Sequence, residues 1–263
     1  MKYYYLSMIA LISHFAKEVL EVARRKALRA TTGSVSARAQ ELVAEIHGGA
    51  FAVIENYWTS KQCGEAIREI DRLCECREEL AGRWVDAMQS DHRFFRAERH
   101  AQGLCMYVND PLIEEVRRAY TGRTRADKFV LAARLEYRQG NAGSGGGWHM
   151  DSPHSRQFKA ILYLSDVNAS NGPFELIPGT HRNTTLWRLV LCGLRKPNQY
   201  RFTNSEIERI CKSDLKPRQF TGSRGTLILV DVTAIHRGTP IVAGNRYALT
   251  LYCGDPFLSE NGA

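Results

Sequence analysis

No hydrophobic run in this sequence reaches the about 20 residues that a membrane-spanning helix requires. The sequence has no internal repeat and no low-complexity tract, and its glycine run at 143–147 is not followed by the Lys-Ser/Thr of a phosphate-binding loop. Its 44% apolar and 24% charged residues exclude collagenous, disordered and multi-spanning membrane proteins. We therefore expect a folded chain of 263 residues with a substantial core.

Paired cysteines are also lacking. The seven cysteines are scattered along the chain and form neither an even-numbered disulfide framework nor the paired spacing of a zinc site. No small-residue cleavage site follows the apolar start of the chain, so we expect no secretory signal. These features predict a reducing, cytoplasmic compartment.

Residues 1–47 are predicted to form an N-terminal helical segment that packs on the core. Within it, the stretch AKEVLEVARRKALRATTG is typical of a basic amphipathic helix. Such a helix either docks on the body of the protein or makes a peripheral contact with the inner face of a membrane. A second helix is expected after the TTGS break, with Thr32 or Ser34 as its N-cap.

Residues 48–263 are predicted to form the main domain, which is mainly β with flanking helices (α+β). Short apolar strands alternate there with Gly, Asn and Pro turns, a pattern typical of an antiparallel barrel or jelly roll. The strands are KFVLAARLEYR, FKAILYLSDV, GPFELIP, GTLILVDV and RYALTLYC.

A basic insertion interrupts these strands at about 181–224. The chain as a whole carries a net charge of +8, and residues 181–225 hold ten Lys/Arg against three acidic residues. We expect the insertion to be a lid whose charge faces the substrate mouth, since long insertions in compact domains often cover active sites. An anionic substrate is compatible with this charge. The candidate substrate contacts are His154, Arg188, Arg195 and Arg201.

The stretch GSGGGWHMDS places a histidine and an aspartate one residue apart. In a strand, His149 and Asp151 would face the same side with α-carbons roughly 6.5 Å apart, close enough to chelate one ion. His236, at the end of a later apolar strand, is the candidate for the third ligand. Two histidines and one carboxylate are the facial triad of non-haem Fe(II) oxygenases. Arg246, ten residues further on, is suited to pair with a carboxylate beside the metal, which suggests 2-oxoglutarate.

The HxD pair, the SNGPFELIPGTHR turn and the HRGTPIVAGNR tail together resemble the phytanoyl-CoA dioxygenase family of Fe(II)/2-oxoglutarate-dependent oxygenases. The resemblance covers roughly residues 48–254 and implies a double-stranded β-helix fold. It also implies His149, Asp151 and His236 as iron ligands and Arg246 as the partner of the distal carboxylate of 2-oxoglutarate. O2 would be the second co-substrate. Further residues expected near the co-substrate are Tyr137, Lys159 and Tyr163.

The resemblance favours hydroxylation, or a related oxidation such as desaturation, of a small molecule or a lipid- or sugar-linked metabolite. Halogenation is disfavoured, since Asp151 stands where halogenating relatives carry a small residue. Two other functions remain open at this stage. The first is a non-catalytic β-helix binding module. The second, oxidative demethylation of nucleic acid, is disfavoured because such enzymes usually carry a further arginine downstream of the clamp, and no arginine follows Arg246.

Overall fold

The structure is a computed structural model that describes residues 35–76, 80–151, 157–197 and 199–254. Within these residues the strands form two antiparallel sheets. The larger sheet has seven strands in the order β1-β8-β5-β10-β4-β3-β2, and the smaller one has three in the order β7-β6-β9. The strands are β1 (Phe51–Ile54), β2 (Arg83–Val85), β3 (Asp91–Phe95), β4 (Asp127–Glu136), β5 (Phe158–Tyr163), β6 (Phe174–Leu176), β7 (Arg218–Phe220), β8 (Leu227–Asp231), β9 (His236–Gly238) and β10 (Asn245–Gly254).

Helices flank the larger sheet, as the mainly β, α+β prediction requires. The α-helices are α1 (Ala37–Gly49), α2 (Ser60–Glu75), α3 (Cys105–Val108), α4 (Pro111–Thr121), α5 (Asn183–Leu191) and α6 (Asn204–Cys211). None of the helices in the described part of the chain is long and apolar enough to cross a membrane.

Side chains alternate between the two faces of the larger sheet, and each face packs into its own hydrophobic core. On β5, Ala160 and Leu162 belong to the large cluster that also contains the buried faces of α1, α2 and α4. Ile161 and Tyr163 point the other way, into a second cluster shared with the smaller sheet. The candidate site lies on this second, inner face, between the two sheets.

Part of the predicted N-terminal segment lies among the described residues. The second helix exists as α1, and its buried side chains Leu42 and Ile46 pack into the large cluster. Its N-cap is Ser36, whose hydroxyl accepts a hydrogen bond from the backbone of Ala39, so the prediction of Thr32 or Ser34 was wrong. The basic amphipathic stretch, within residues 1–34, lies outside the described residues.

The insertion at 181–224 is a packed layer. Helices α5 and α6 place their apolar faces on a third cluster together with Trp148, Ile177 and Ile235. Amphipathic helices that bury one face leave their charged side chains on the other, toward solvent. The insertion therefore turns most of its basic residues away from the inner face of the sheets.

Candidate metal centre

His149 and His236 are brought together by backbone pairing. The amide of His149 donates to the carbonyl of His236 at 2.9 Å, and the reverse hydrogen bond measures 2.8 Å. Asp151 is fixed by a hydrogen bond from its amide to the carbonyl of Val232 at 3.1 Å. The HxD segment lies outside the regular strands, yet its two side chains converge on His236.

Both imidazoles present the same nitrogen to the site. Nδ1 of His149 lies 2.8 Å from the carbonyl oxygen of Gly147, and Nδ1 of His236 lies 2.9 Å from that of Ala234. A carbonyl oxygen only accepts, so each Nδ1 carries the proton and each Nε2 keeps a free lone pair. Burial lowers the pKa of His236 although Asp151 opposes the shift, which favours the neutral imidazole that a metal binds.

Glycine is required where the chain passes over His149. Gly145 has φ +88°, and a Cβ added there would lie 2.5 Å from Cε1 of His149. Gly143 has φ +75°, and its Cβ would lie 2.4 Å from the carbonyl oxygen of Gly238. The glycine run therefore lets the backbone pass close to His149.

Asp151 carries the negative charge of the centre. Its Oδ1 lies 3.4 Å from Nε2 of His149 and 3.5 Å from Nε2 of His236, and its Oδ2 pairs with the Lys159 ammonium. Burial alone would raise the pKa of the Asp151 carboxyl, but Lys159 and the two histidines outweigh it and hold that pKa well below its usual range. Asp151 is therefore ionised.

This donor set fits a divalent transition metal. One ligand atom from each of His149, Asp151 and His236 lies within 4.8 Å of the other two. Adjacent ligands at about 2.1 Å from an octahedral ion are about 3 Å apart, so small side-chain movements would close the set around an ion. The two lone pairs and one carboxylate match the facial triad predicted from the sequence.

An inner cavity of about 120 Å³ extends from these donors to Arg246. Arg246 is buried, with an exposed fraction of 6%, and burial lowers its pKa. One Nη donates to the carbonyl of Gly172, while Nε has no hydrogen-bond partner. An unsatisfied guanidinium donor lining a buried cavity marks a place for an acceptor, and a carboxylate suits it best.

Two further predicted co-substrate residues line this cavity, and one does not. Lys159 lies near the metal donors, and Tyr163 lies further along β5. The Tyr163 hydroxyl donates its proton to the carbonyl of Phe220 and accepts from the amide of Phe174. Tyr137 is 46% exposed and is not among the residues that line the cavity.

An outer cavity of about 530 Å³ adjoins the inner one. His149 and Asp151 line both cavities, so the metal donors stand where the inner cavity of Arg246 meets this mouth. The mouth carries acids, arginines and half-exposed aromatic rings. These are Trp84, Asp86, Asp91, Arg93, Tyr200 and Arg201.

The structure places the predicted substrate residues in different surroundings. Arg201 lines the mouth and donates to the carbonyl of Gly145 at 2.8 Å. Arg188 is exposed and pairs with Asp214 at 2.8 Å, and Arg195 donates to the carbonyl of Gln199, both away from the mouth. The expectation that the basic charge of the insertion faces the mouth therefore holds for Arg201 and fails for Arg188 and Arg195. His154 lies outside the described residues.

The sequence reasoning missed Arg93. This side chain lines both cavities, pairs with Asp91 at 2.5 Å, donates to the Ser144 hydroxyl at 2.9 Å and lies 4.9 Å from the ring centroid of Trp84. The sequence feature that could have identified Arg93 is the alternation in DHRFF. This alternation puts Asp91 and Arg93 on one face of β3 and Phe94 on the other.

Comparisons with known proteins agree with this geometry. The ectoine dioxygenase of Nocardia farcinica is 24% identical over 208 residues, which cover 71% of this chain and 67% of that enzyme. Other ectoine dioxygenases match over less than half of their own length.

Two solved structures share the fold. One is the epimerase SnoN in complex with Fe3+, alpha ketoglutarate and nogalamycin RO, at a TM-score of 0.62 with 15% identity over 83% of this chain and 84% of that chain. The other is HygX from Streptomyces hygroscopicus with nickel, 2-oxoglutarate and hygromycin B bound, at a TM-score of 0.54 with 14% identity over 83% and 88%. The double-stranded β-helix prediction is confirmed.

A sequence profile of the phytanoyl-CoA dioxygenase family (PhyH) matches residues 51–246, which hold the three metal donors and Arg246. This range spans most of the chain and both sheets. Fold, donor set and profile thus agree, and the chain belongs to the phytanoyl-CoA dioxygenase family of Fe(II)- and 2-oxoglutarate-dependent oxygenases.

Proposed function

We propose that this oxygenase hydroxylates an unactivated C–H bond of a small polar molecule that enters through the outer cavity. The observation that carries the proposal is the position of His149 and Asp151 between the mouth and the Arg246 cavity. When bound, the iron allows O2 to oxidise both partners: one oxygen atom enters succinate as 2-oxoglutarate loses CO2, and the other enters the substrate as a hydroxyl group.

His149, Asp151 and His236 would hold the iron, His149 and His236 through Nε2. The Nδ1 hydrogen bonds to backbone carbonyls support this role, because they fix the ring orientation and keep the Nε2 lone pairs free. The ionised carboxylate of Asp151 supplies one negative charge against the dication. These contacts therefore keep the three donors close together and in the forms that bind a metal.

Arg246 would bind the distal carboxylate of 2-oxoglutarate. Its free Nε and its burial at the far end of the inner cavity support this role, since a charged group buried without a carboxylate partner is costly. Tyr163 would pack beside the co-substrate without donating to it, because its one hydroxyl proton goes to Phe220. The small inner cavity, largely filled by the co-substrate, would also leave little room for water beside the reacting atoms.

The substrate proposed for the mouth is neutral or zwitterionic. Asp86 and Asp91 balance Arg93 and Arg201, and the third acid of the lining, Asp151, is assigned to the metal. The part of the mouth left for the substrate therefore has no excess of one charge. The half-exposed rings of Trp84 and Tyr200 offer flat apolar surfaces beside these charges. This mixture suits a compact metabolite better than the strongly anionic substrate that the charge of the whole chain suggests. The name of the ectoine dioxygenases is in keeping with a small molecule.

The two other functions receive less support. An intact donor set and an unpaired buried arginine are unexpected in a module that only binds. The mixed charge of the mouth does not favour a nucleic-acid backbone, which is recognised by an excess of Lys and Arg.

We propose a cytoplasmic location, because all seven cysteines are free.

Succinate formation tests the proposed reaction. The purified chain is supplied with Fe(II), 2-oxoglutarate and O2, and a panel of neutral and zwitterionic metabolites is screened for stimulated succinate release. We expect release that depends on all three additions and is lost in His149→Ala, while Arg188→Ala behaves as wild type. Equal release from wild type and His149→Ala would contradict the proposed function.

A further inference from the structure

Lys159 is a lysine buried beside the metal donors, with an exposed fraction of 8%. It lies on the inner face of β5, directly opposite Tyr252 of β10. Its ammonium contacts Oδ2 of Asp151 and stands 3.8 Å from the centroid of the Tyr252 ring. A buried ammonium is costly unless it is paired, so the carboxylate and the ring hold Lys159 in this position.

Because of this contact, the two carboxylate oxygens of Asp151 have different surroundings. Oδ1 faces Nε2 of both His149 and His236, at 3.4 and 3.5 Å. Oδ2 is engaged by Lys159. An oxygen held by an ammonium is a poor ligand for a dication, since the lysine charge repels an ion placed on it. Only Oδ1 is therefore free to bind a metal.

Lys159 does not share the role of Arg246. Arg246 and Tyr252 lie on the same face of β10, with α-carbons roughly 20 Å apart at about 3.3 Å a residue, and Lys159 is paired with Tyr252. Lys159 is thus at the metal end of the inner cavity, and Arg246 is at the opposite end. A co-substrate carboxylate held by Arg246 is out of reach of the Lys159 ammonium.

We propose that Lys159 is a positioning residue that restricts Asp151 to one-oxygen binding and so keeps three positions on the metal open. This inference rests on the proposed function, because it takes His149, Asp151 and His236 as the ligands. Without the lysine, the carboxylate is free to bind through both oxygens and to fill one of those positions. The co-substrate alone needs two of them, so Lys159 preserves the space that the reaction uses.

Counting water molecules on bound Mn(II) tests this role without any turnover. Mn(II) is added to the purified chain without 2-oxoglutarate, and the broadening of its electron paramagnetic resonance lines in 17O-enriched water gives the number of bound waters. The variants are Lys159→Met, Lys159→Ala and Lys159→Arg. Lys128→Met is the matched control, because Lys128 pairs with Glu114 outside both cavities.

We expect one water fewer in Lys159→Met and Lys159→Ala than in wild type, and the wild-type number in Lys159→Arg and Lys128→Met. Once loaded with metal, Lys159→Met and Lys159→Ala should bind 2-oxoglutarate at least 10-fold more weakly than wild type. Circular dichroism shows which of Lys159→Met and Lys159→Ala is folded. If a folded one of these variants keeps the wild-type water count, the inference about Lys159 is overturned and the proposed function is not affected. A wild type that binds no Mn(II) would instead overturn the proposed function.

Discussion

His149 and His236 hydrogen-bond to each other through both of their backbone amides, at 2.9 and 2.8 Å, although they lie in different parts of the sequence. The pairing sets the two rings 4.3 Å apart between centroids, with each Nδ1 held by a carbonyl two residues earlier. The metal site therefore depends on backbone that only the folded double-stranded β-helix brings together. Substitutions that disturb this backbone should therefore weaken metal binding even where the protein still folds.

Gly145→Ala tests this dependence. The new Cβ would lie 2.5 Å from Cε1 of His149, so the ring must move away from the other two donors. We expect Fe(II) affinity, measured by anaerobic titration, to fall about 10–100-fold, as it does when the support of a ligand is lost. Gly140→Ala is the control, since Gly140 also has a positive φ but its Cβ would meet only the flexible end of Met88 at 3.7 Å. Equal losses in the two variants would mean that backbone strain, not the contact with His149, decides affinity.

Tyr163→Phe separates packing from co-substrate binding. The change leaves the buried amide of Phe174 and the carbonyl of Phe220 without the hydroxyl that bonds both. The free energy of unfolding should fall by about 1–3 kcal/mol, whereas the Kd for 2-oxoglutarate should change less than about threefold. Urea unfolding and calorimetric titration measure the two quantities. A large loss of 2-oxoglutarate affinity at unchanged stability would assign the hydroxyl to the co-substrate instead.

The ion pair between Glu114 and Arg117 predicts a pH dependence of stability. Burial would raise the pKa of Glu114, but hydrogen bonds and charge from Arg117 and Lys128 outweigh it and lower that pKa. A carboxyl with a lowered folded-state pKa stabilises the protein fully above its unfolded pKa of about 4.3, and this stability is lost as the pH falls through the folded value.

Glu114→Gln should therefore destabilise the protein at pH 7 by about 1–2 kcal/mol, less than a fully buried pair because Glu114 is partly exposed. The difference from wild type should shrink below about pH 4, where the wild-type carboxyl is protonated too. Denaturant unfolding at a series of pH values measures it. A difference that stayed constant down to pH 3 would show that the charge of Glu114 is not its source.

The cysteines should differ in reactivity with a thiol reagent at pH 8. Burial raises the pKa of the Cys253 thiol to about 12, so this residue holds almost no thiolate at that pH. Cys192 is exposed after the end of α5 and should react first. Replacing Cys192 with Ser should remove the fastest phase of modification, and replacing Cys253 with Ser should leave it unchanged. A fast phase that survives in Cys192→Ser would show a different cysteine to be the accessible one.

The cluster of His149, Asp151 and His236 could be predicted from the sequence, because the chemistry of a metal site is restrictive. Few structural roles place a histidine and an aspartate one residue apart beside a glycine run, with a second histidine and an arginine following on later strands. The strands could also be predicted, since β4, β5, β8 and β10 have buried, largely apolar sequences bounded by turn residues.

Strand β3 and the direction of the charge in the insertion could not be predicted in the same way. The inner face of β3 carries Asp91 and Arg93, because it lines a polar cavity, and this makes a sheet strand look like a polar loop. The basic residues of α5 and α6 belong to helices whose apolar faces decide their orientation. Only the packing partners, which are distant in sequence, determine which way such charges point.

The visible charge-transfer band that Fe(II) and 2-oxoglutarate form together in the absence of oxygen tests most directly whether the three donors and Arg246 bind metal and co-substrate. We expect a band in the wild type that is lost in His149→Ala, weakened in Arg246→Ala and unchanged in Arg188→Ala, whose side chain is exposed and away from both cavities. A folded, iron-supplied wild type that shows no band would contradict the proposed function.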